Sequence, residues 1–479
     1  MSHLAAFVLS IGAVSGQALA GEAKPNVLYL VVDDLRPELG CYGDRHMHTP
    51  NIDRLAARGL WFTRAFCQQA LCSPSRNSVF SGCRPDTTKV YGGNRMFRQA
   101  LPDVVALPQL FKNQGYFTRS FGKILHHNGQ DDPVSWSEPM YWPSGGVYAH
   151  PDNLDCRITM DRAENFDNPL VEAADVPDHA YADGMVADEA LATLRRVRQR
   201  PFFLAVGFFK PHTPFCAPQK YWDLYRRDRI ELAPDPFEPK DVPAVAMSDW
   251  RYVRSFRDIP DEGPMPDETA RLVKHAYYAC VSFVDAQVGR LLDELDRLRL
   301  RERTLVVLWS DHGYQLGEHG MWCKHTNFET STRVPLIVSV PGRTAGGSSD
   351  ALVELVDLYP TLAELCGLPV PGHVEGTSFV PLIEDSRRPW KTAAFSQYLR
   401  GGAMGYSMRT DRWRFNRWVR QTDPGEVVAL ELYDHTADPQ EDANVAGDPA
   451  HAELIRRLTV ELQAGWQAAA PQQASRPGK

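Results

Sequence analysis

The segment Cys72-Ser73-Pro74-Ser75-Arg76 carries more potential chemistry than any other pentapeptide in the chain. Pro74 suits the first turn of a helix, where its missing N–H leaves no donor orphaned. Cys72 then falls at a helix N-terminus, whose free N–H groups and positive dipole end favour an anion. Arg76 can turn a planar, bidentate donor toward the same place. Such a constellation activates a nucleophile or holds a tetrahedral oxyanion; the plainer reading is a buried cysteine ahead of an ordinary helix. Two acidic clusters weigh toward chemistry. Asp33-Asp34 and Asp311 supply three carboxylates, and adjacent aspartates repel unless something positive offsets them. Oxygen ligands of this kind suit one hard cation, calcium or magnesium. Helix capping by Asp34 would explain only one member of the pair.

These residues follow apolar runs. Residues 26–32 read as a strand buried on both faces and end in Asp33-Asp34. Residues 202–208 form a second such run, followed by Lys210-Pro211-His212, and residues 304–309 a third, followed by Ser310-Asp311-His312-Gly313. Residues 334–340 read as a fourth strand. Residues 51–58, between Pro50 and Gly59, read as a helix. Over 270–298, Tyr277, Val281, Val284, Val288, Leu291, Leu295 and Leu298 recur at the spacing of a long amphipathic helix. Strands alternating with helices predict an α/β class, a large and mostly parallel sheet flanked by helices on both faces. Ligands of such sheets bind beyond the carboxyl ends of the strands. The polar clusters at Asp33-Asp34, His212 and Asp311-His312 fall there together.

After residue 388 the texture changes. Residues 395–398, 406–409, 413–418 and 427–433 look like short antiparallel strands, and about 450–466 like a helix. The expected organisation is a catalytic domain over 21–388 and a smaller α+β domain with an antiparallel sheet over 389–467. A Pro/Gln/Ser-rich tail over 468–479 is expected to be disordered. Leu4 to Val14 is an apolar run followed by Ala18-Leu19-Ala20, the pattern of a signal peptide cleaved near Ala20. The run is too short for a membrane span, and no later stretch is long and apolar enough for one. The expected location is periplasmic or secreted.

The 479 residues carry 52 Lys and Arg against 60 Asp and Glu, a net charge of −8, with 43% hydrophobic residues. That balance argues against wholesale disorder and against a general nucleic-acid binder. It leaves room for an anionic substrate held by a few local cations. The nine cysteines are Cys41, Cys67, Cys72, Cys83, Cys156, Cys216, Cys280, Cys323 and Cys366. They contain no CxxC pair, so a structural zinc site is not expected, and most read as buried thiols.

On these motifs the sequence resembles the type I, formylglycine-dependent sulfatases. The likeness rests on Cys-x-Pro-Ser-Arg, the Val-Val-Asp-Asp strand end and Ser-Asp-His-Gly. It continues through Gly122-Lys123-Ile124-Leu125-His126, Lys210-Pro211-His212-Thr213-Pro214 and the stretch from Leu316 to Lys324. It spans about Asn26 to Asn444. Within the family the chain is most similar to the iduronate-2-sulfatase branch, through Asp33-Asp34-Leu35-Arg36-Pro37, Leu39-Gly40-Cys41-Tyr42-Gly43-Asp44, Arg84-Pro85-Asp86-Thr87-Thr88 and Leu232-Ala233-Pro234-Asp235-Pro236.

The resemblance implies an alkaline-phosphatase-like fold and conversion of Cys72 to formylglycine by a formylglycine-generating enzyme, with Pro74 and Arg76 as part of the signal. One hydroxyl of the hydrated aldehyde would attack sulfur and displace the sugar alcohol, and the other would then expel sulfate. The cation, Ca2+ rather than Mg2+, would be held by Asp33, Asp34, Asp311, His312 and the modified Cys72. Many sulfatases have Asn where this chain has His312, and His there is a mark of the iduronate-2-sulfatase branch. Lys123, Lys324 and Arg76 would neutralise sulfate oxygens. His126 would stand beside the hydrate, and His212 would protonate the leaving alcohol. Taken singly, Lys123 also reads as a surface lysine and His212 as a structural histidine.

The implied substrate is a sulfated saccharide, cleaved from its end at a 2-O-sulfated uronate. Arg36, Arg95 and Arg98 are candidates for the uronate carboxylate. Arg412, Trp413, Arg414 and Trp418 either border the cleft or form a solvated edge strand. Alternative activities are phosphonate monoester or phosphodiester hydrolysis and a choline-sulfatase-like reaction, which would want an aromatic cage. A metal-stabilised glycan binder would have no use for the Cys72 pentapeptide. Nothing in the sequence sets the oligomeric state.

Overall fold

The structure is a computed structural model that describes residues 24–93, 95–126, 131–154 and 168–471. The expected signal peptide, Cys156 and the end of the expected tail lie outside the described residues. Asn26–Val32 is entirely buried and runs parallel to Phe202–Phe208 on one side and to Thr304–Ser310 on the other. Its alternation sorts the core. Leu28, Leu30 and Val32 face one layer with Ile52, Val186, Tyr277 and Val281. Val27, Tyr29 and Val31 face the other with Val79, Phe80, Phe111 and Tyr359. Helices Pro50–Ala56, Ala182–Val197 and Asp267–Arg297 therefore cover one face, and Cys72–Ser81, Leu107–Asn113 and Leu358–Leu365 the other. This is the two-period logic of a doubly covered sheet.

The sheet has seven strands in the order Ser348–Ser349, Leu60–Phe62, Leu336–Ser339, Thr304–Ser310, Asn26–Val32, Phe202–Phe208 and Phe117–Gly122. Val32 stands level with both Phe208 and Ser310, and Gly122 with Gly207. Lys123, Asp33 and Asp311 thus emerge along one edge of the sheet. The α/β class and the mostly parallel sheet expected from the sequence are present. The run over 334–340 differs from its reading as one strand. Arg333–Val334 pairs with Ala65–Phe66 in a separate small sheet, and Leu336–Ser339 enters the main sheet antiparallel to Thr304–Ser310. Pro335, which has no N–H for a ladder, separates the two. The sequence pattern does not mark Phe117–Gly122, which leads into Lys123, as a strand. It lies at the sheet edge, where polar Thr118, Arg119 and Ser120 are tolerated and blur the pattern.

Toward the C-terminus, Ala394–Arg400, Ala403–Arg409, Trp413–Arg420 and Val427–Asp434 form an antiparallel meander. Helix Ala452–Ala469 packs on it through Leu458, against Met408, Phe415 and Leu432. This helix runs past the expected start of the tail at 468. Trp413–Arg420 pairs on both sides, so it is not an edge strand, and Trp418 and Arg414 are buried. Arg414 is held by Glu329 and Glu441 (Nε to Oε1, 2.5 Å). The meander is tied to loops beside the large sheet through the Gln397 N–H, which donates to Gln68 O at 2.8 Å, and Asn327 Nδ2, which donates to Gly405 O at 2.9 Å. The eight described cysteines are free thiols. Among the described residues no helix is long and apolar enough to cross a membrane.

Candidate active site

Helix Cys72–Ser81 begins at Cys72 and is buried along its whole length. Ser75 Oγ donates to Asp311 O at 2.5 Å, and Asn77 Nδ2 to Ser73 O at 2.7 Å, fixing its first turn beneath the strand ends. The Cys72 sulfur lies 3.1 Å from His312 Nε2, 3.4 Å from Asp33 Oδ1, 3.8 Å from Lys123 Nζ and 3.9 Å from Asp34 Oδ1. The helix and three strand ends, far apart in sequence, therefore converge on one atom.

The two adjacent aspartates separate because Asp34 adopts a left-handed backbone, φ 59°. That conformation is uncommon for a side-chain-bearing residue and persists where surroundings enforce it. Here the Asp34 N–H donates to Asp311 Oδ1 at 3.2 Å, and Tyr277 Oη donates to Asp34 O at 2.8 Å. Both carboxylates then face the site. Lys324 Nζ donates to the Asp34 carboxylate at 2.7 and 2.8 Å, and Lys123 Nζ donates to Asp33 Oδ2.

Lys123 reaches this point through a backbone squeeze. Gly122 has φ 64°, and a Cβ there would meet Gly207 O at 2.2 Å; one on Gly207 would meet Lys123 O at 2.1 Å. Two glycines in register let the chain turn inward, as no larger residue allows. Arg76, fully buried, donates from Nε to Asp311 Oδ2 at 2.8 Å, from Nη2 to Asp33 Oδ1 at 2.9 Å and from Nη1 to Ile124 O at 3.0 Å. It braces the carboxylates from behind.

These contacts set the charges. Burial pushes the Asp33 carboxyl up, but Lys123 and Arg76 outweigh it and hold it well below the usual carboxylate range. Burial and then the Asp33 carboxylate push the Cys72 thiol well above its usual range. A thiol held protonated is a poor nucleophile, so unmodified Cys72 is chemically quiet here.

Asp33, Cys72, Asp311 and His312 offer ligand atoms that all lie within 4.8 Å of one another. His312 Nδ1 faces Gly313 O at 2.9 Å, and a carbonyl only accepts, so the ring proton sits on Nδ1. The Nε2 lone pair is left for the site, 3.4 Å from Asp34 Oδ1 and 3.5 Å from Asp311 Oδ2. Orientation of a ligating histidine by a carbonyl on its other nitrogen is a regular feature of metal centres. Three carboxylates and this lone pair fit a divalent cation.

His212 belongs to the same assembly. It is buried, and it forms a second such group with Asp33, Asp34 and Cys72, again within 4.8 Å. Its Nδ1 donates to Thr213 O at 2.7 Å, leaving Nε2 as the other reactive nitrogen. Burial, then Lys123 and Lys324, holds the imidazole well below its usual range. His126 lies three residues past Lys123 with its ring beside Gly93. Asp33, Asp34, Lys123 and His312 contact the sulfur.

Two arginines expected to greet a substrate carboxylate are committed elsewhere. Arg36 pairs with Glu318 at 2.8 Å and Glu38 at 3.3 Å. Arg98 pairs with Asp132 at 2.9 Å and donates to Gln109 Oε1 at 2.7 Å. Arg412 is tied to Asp434 on the surface of the meander. A cavity of about 710 Å³ lined by Arg36, Tyr42, Arg45, Tyr225, Tyr278 and Glu318 does not include Cys72. Tyr277, whose hydroxyl bonds both the Arg36 N–H and Asp34 O, stands between Arg36 and the site. The sequence assigns no role to Tyr277 or Glu318; a buried polar residue on an apolar helix face, as Tyr277 is, is the available signal.

The Sulfatase family model matches residues 25–368, and one described as N-sulphoglucosamine sulphohydrolase, C-terminal, matches residues 317–467. Iduronate 2-sulfatase of Mus musculus is 38% identical over 514 residues, covering 90% of this chain and 93% of that protein. A sulfatase of Formosa agariphila is 33% identical over 470 residues, covering 93% of this chain and 88% of its own. In fold, phosphonate monoester hydrolase SpPMH from Silicibacter pomeroyi is similar with a TM-score of 0.75 at 22% identity, covering 94% of this chain and 97% of its own. The alkaline-phosphatase-like architecture is thus shared with solved structures. With the family model spanning most of the chain and a 38% identical relative matched nearly end to end, the chain belongs to the sulfatase family and is a sulfuric ester hydrolase.

Proposed function

We propose that the protein removes a 2-O-sulfate from the uronate end of a sulfated glycosaminoglycan saccharide, with Cys72 matured to formylglycine and calcium as its cation. The observation that carries the sulfatase chemistry is the buried set of three carboxylates and three cationic side chains closed around the Cys72 sulfur, 3.4 Å from Asp33 Oδ1 and 3.8 Å from Lys123 Nζ. The likeness to mouse iduronate 2-sulfatase along 90% of the chain supports the uronate 2-O-sulfate.

Formylglycine, when formed, supplies a hydrated aldehyde in place of a quiet thiol, and the bound cation supplies a Lewis acid that polarises sulfate. The remaining work falls to side chains of this chain. Asp33, Asp34, Asp311, His312 and the modified Cys72 would hold the cation, and Arg76 keeps Asp33 and Asp311 aimed. Lys123 and Lys324 take sulfate oxygens. The charges of Asp33, Asp34 and Asp311 balance those of Arg76, Lys123 and Lys324, so a dication gives the site a net positive charge matched to an anionic ester. His212 gives a proton from Nε2 to the departing sugar oxygen. Burial first, then Lys123 and Lys324, keeps the free ring neutral; an anion seated between the two lysines offsets that part of the effect and favours the protonated ring, the state His212 needs in order to donate. His126 orients the nucleophile from the Gly93 side. Maturation calls for a formylglycine-generating enzyme, and residues 1–20 direct export and are then cleaved near Ala20.

The test is sulfate release from an unsaturated 2-O-sulfated uronate disaccharide. The protein is co-expressed with a formylglycine-generating enzyme, and the Cys72 peptide is checked by mass spectrometry. Release establishes the substrate class. No release from protein with the aldehyde confirmed would discard the uronate.

A further inference from the structure

Lys210 is 5% exposed and carries its charge into the loop that ends in His212. Its ammonium donates to His212 O at 3.2 Å and to Pro214 O. Among the described residues its hydrogen bonds all go to these carbonyls, so the loop closes around its own lysine. From the opposite side, Asp183 opens helix Ala182–Val197 and is 1% exposed. Its carboxylate accepts the Phe209 N–H at 2.6 Å and the Lys210 N–H at 3.0 Å. The His212 N–H closes a turn onto Phe209 O at 2.9 Å, and the ring is fixed by Thr213 O at 2.7 Å. The ring is therefore anchored to a stretch of backbone clamped at Phe209 and Lys210 by Asp183, and at His212 and Pro214 by the ammonium.

Burying an ammonium is costly unless it is fully hydrogen-bonded. An apolar side chain of the same length would fill the space but would leave two buried carbonyls of an irregular loop without donors. The lysine is explained by what its charge does to the loop, and the loop's product is the direction of His212.

We infer that Lys210 and Asp183 are positioning residues that together aim His212 Nε2 at the leaving oxygen. The inference rests on the reading of His212 as the proton donor. A sugar alkoxide leaves poorly and needs that proton, whereas an aryl oxide leaves without it. A ring displaced by about 1 Å loses on the order of 100-fold in rate.

The experiment uses enzyme with Cys72 converted and cation bound. Lys210→Met, Asp183→Asn, His212→Ala and Lys210→Met/His212→Ala are assayed on the 2-O-sulfated uronate disaccharide and, in parallel, on an aryl sulfate. Lys210→Met is expected to lower kcat on the disaccharide by about 100-fold with KM changed by less than about 3-fold. Loss on the aryl ester should be far smaller. The double variant should be no slower than His212→Ala, because both changes remove the same function. Asp183→Asn, which keeps one acceptor oxygen, should show the same selectivity with a smaller loss, and it carries the test if Lys210→Met fails to fold. Losses that multiply in the double variant, or equal losses on both esters, would overturn the inference. Full kcat in His212→Ala would instead refute the role of His212. A slow His212→Ala beside fast Lys210→Met and Asp183→Asn would refute the positioning alone.

Discussion

Glu318→Gln removes one charge from a buried pair and keeps the shape of the side chain. Glu318 is 7% exposed; its Oε1 faces Arg36 Nη2 at 2.8 Å and its Oε2 accepts the Leu316 N–H at 2.6 Å. Burial alone would push this carboxyl up, but Arg36, their hydrogen bond and Lys274 more than reverse that, bringing it from 4.5 to about 2. At about 1.4 kcal/mol per pH unit, such a lowering favours the folded state by about 3 kcal/mol at neutral pH. Breaking a buried ion pair by removing one partner costs a similar amount, about 3–5 kcal/mol, because the other charge stays behind. Among the described residues, Glu38 at 3.3 Å would be the one carboxylate left paired with Arg36, beside Tyr314 O at 3.3 Å.

A carboxyl lowered in the folded state stabilises above its unfolded value and ceases to do so as pH falls through its folded value. The difference between wild type and Glu318→Gln should thus be about 3 kcal/mol at pH 7 and close progressively between about pH 4.5 and pH 2. Urea unfolding followed by tryptophan fluorescence at a series of pH values reads this directly. A gap of the same size at pH 7 and pH 3 would refute the electrostatic reasoning and point to packing. A gap under about 0.5 kcal/mol at pH 7, the size of an ordinary surface change, would show that Arg36 finds a substitute partner.

Asp311→Asn should lower bound cation and sulfate release together, with a rate loss of about 100-fold or more, and metal analysis beside turnover checks both; full occupancy with full rate would remove Asp311 from the ligand set. Chelation of the matured wild type should abolish turnover, and added calcium should restore it; a rate indifferent to chelator would exclude a functional cation. Gly207→Ala places a Cβ 2.1 Å from Lys123 O, so it should destabilise by about 1–3 kcal/mol and lower kcat by displacing Lys123, as unfolding and kinetic measurements together would reveal. Cys72→Ser made without conversion should keep the wild-type unfolding transition and release no sulfate; retained turnover would refute Cys72 as the source of the nucleophile.

Much of this protein can be read from the chain alone, for a local reason. A strand buried on both faces leaves an unbroken apolar run, so Asn26–Val32, Phe202–Phe208 and Thr304–Ser310 announce themselves, and Asp33, His212 and Asp311 stand out at or just beyond their ends. Pro74 and Arg76 mark the helix that begins at Cys72. The long period of Asp267–Arg297 is visible because its apolar face covers the sheet over its whole length. What the tertiary structure decided is which charges are spent and which backbone is squeezed. Arg36 and Arg98 look like free cations in a sequence, because an arginine is the same letter whether or not a carboxylate 282 residues away meets it, as Glu318 meets Arg36. Phe117–Gly122 hides because an edge strand tolerates polar residues, and Leu336–Ser339 is split from Arg333–Val334 at Pro335, which one apolar run does not reveal. The clamp of Lys210 and Asp183 on the His212 loop depends on a helix start and a strand end meeting in space. Periodicity records how deeply each residue is buried; it does not record what lies opposite, and in a buried charged site the partner determines whether a side chain is a ligand, a brace or a catalyst.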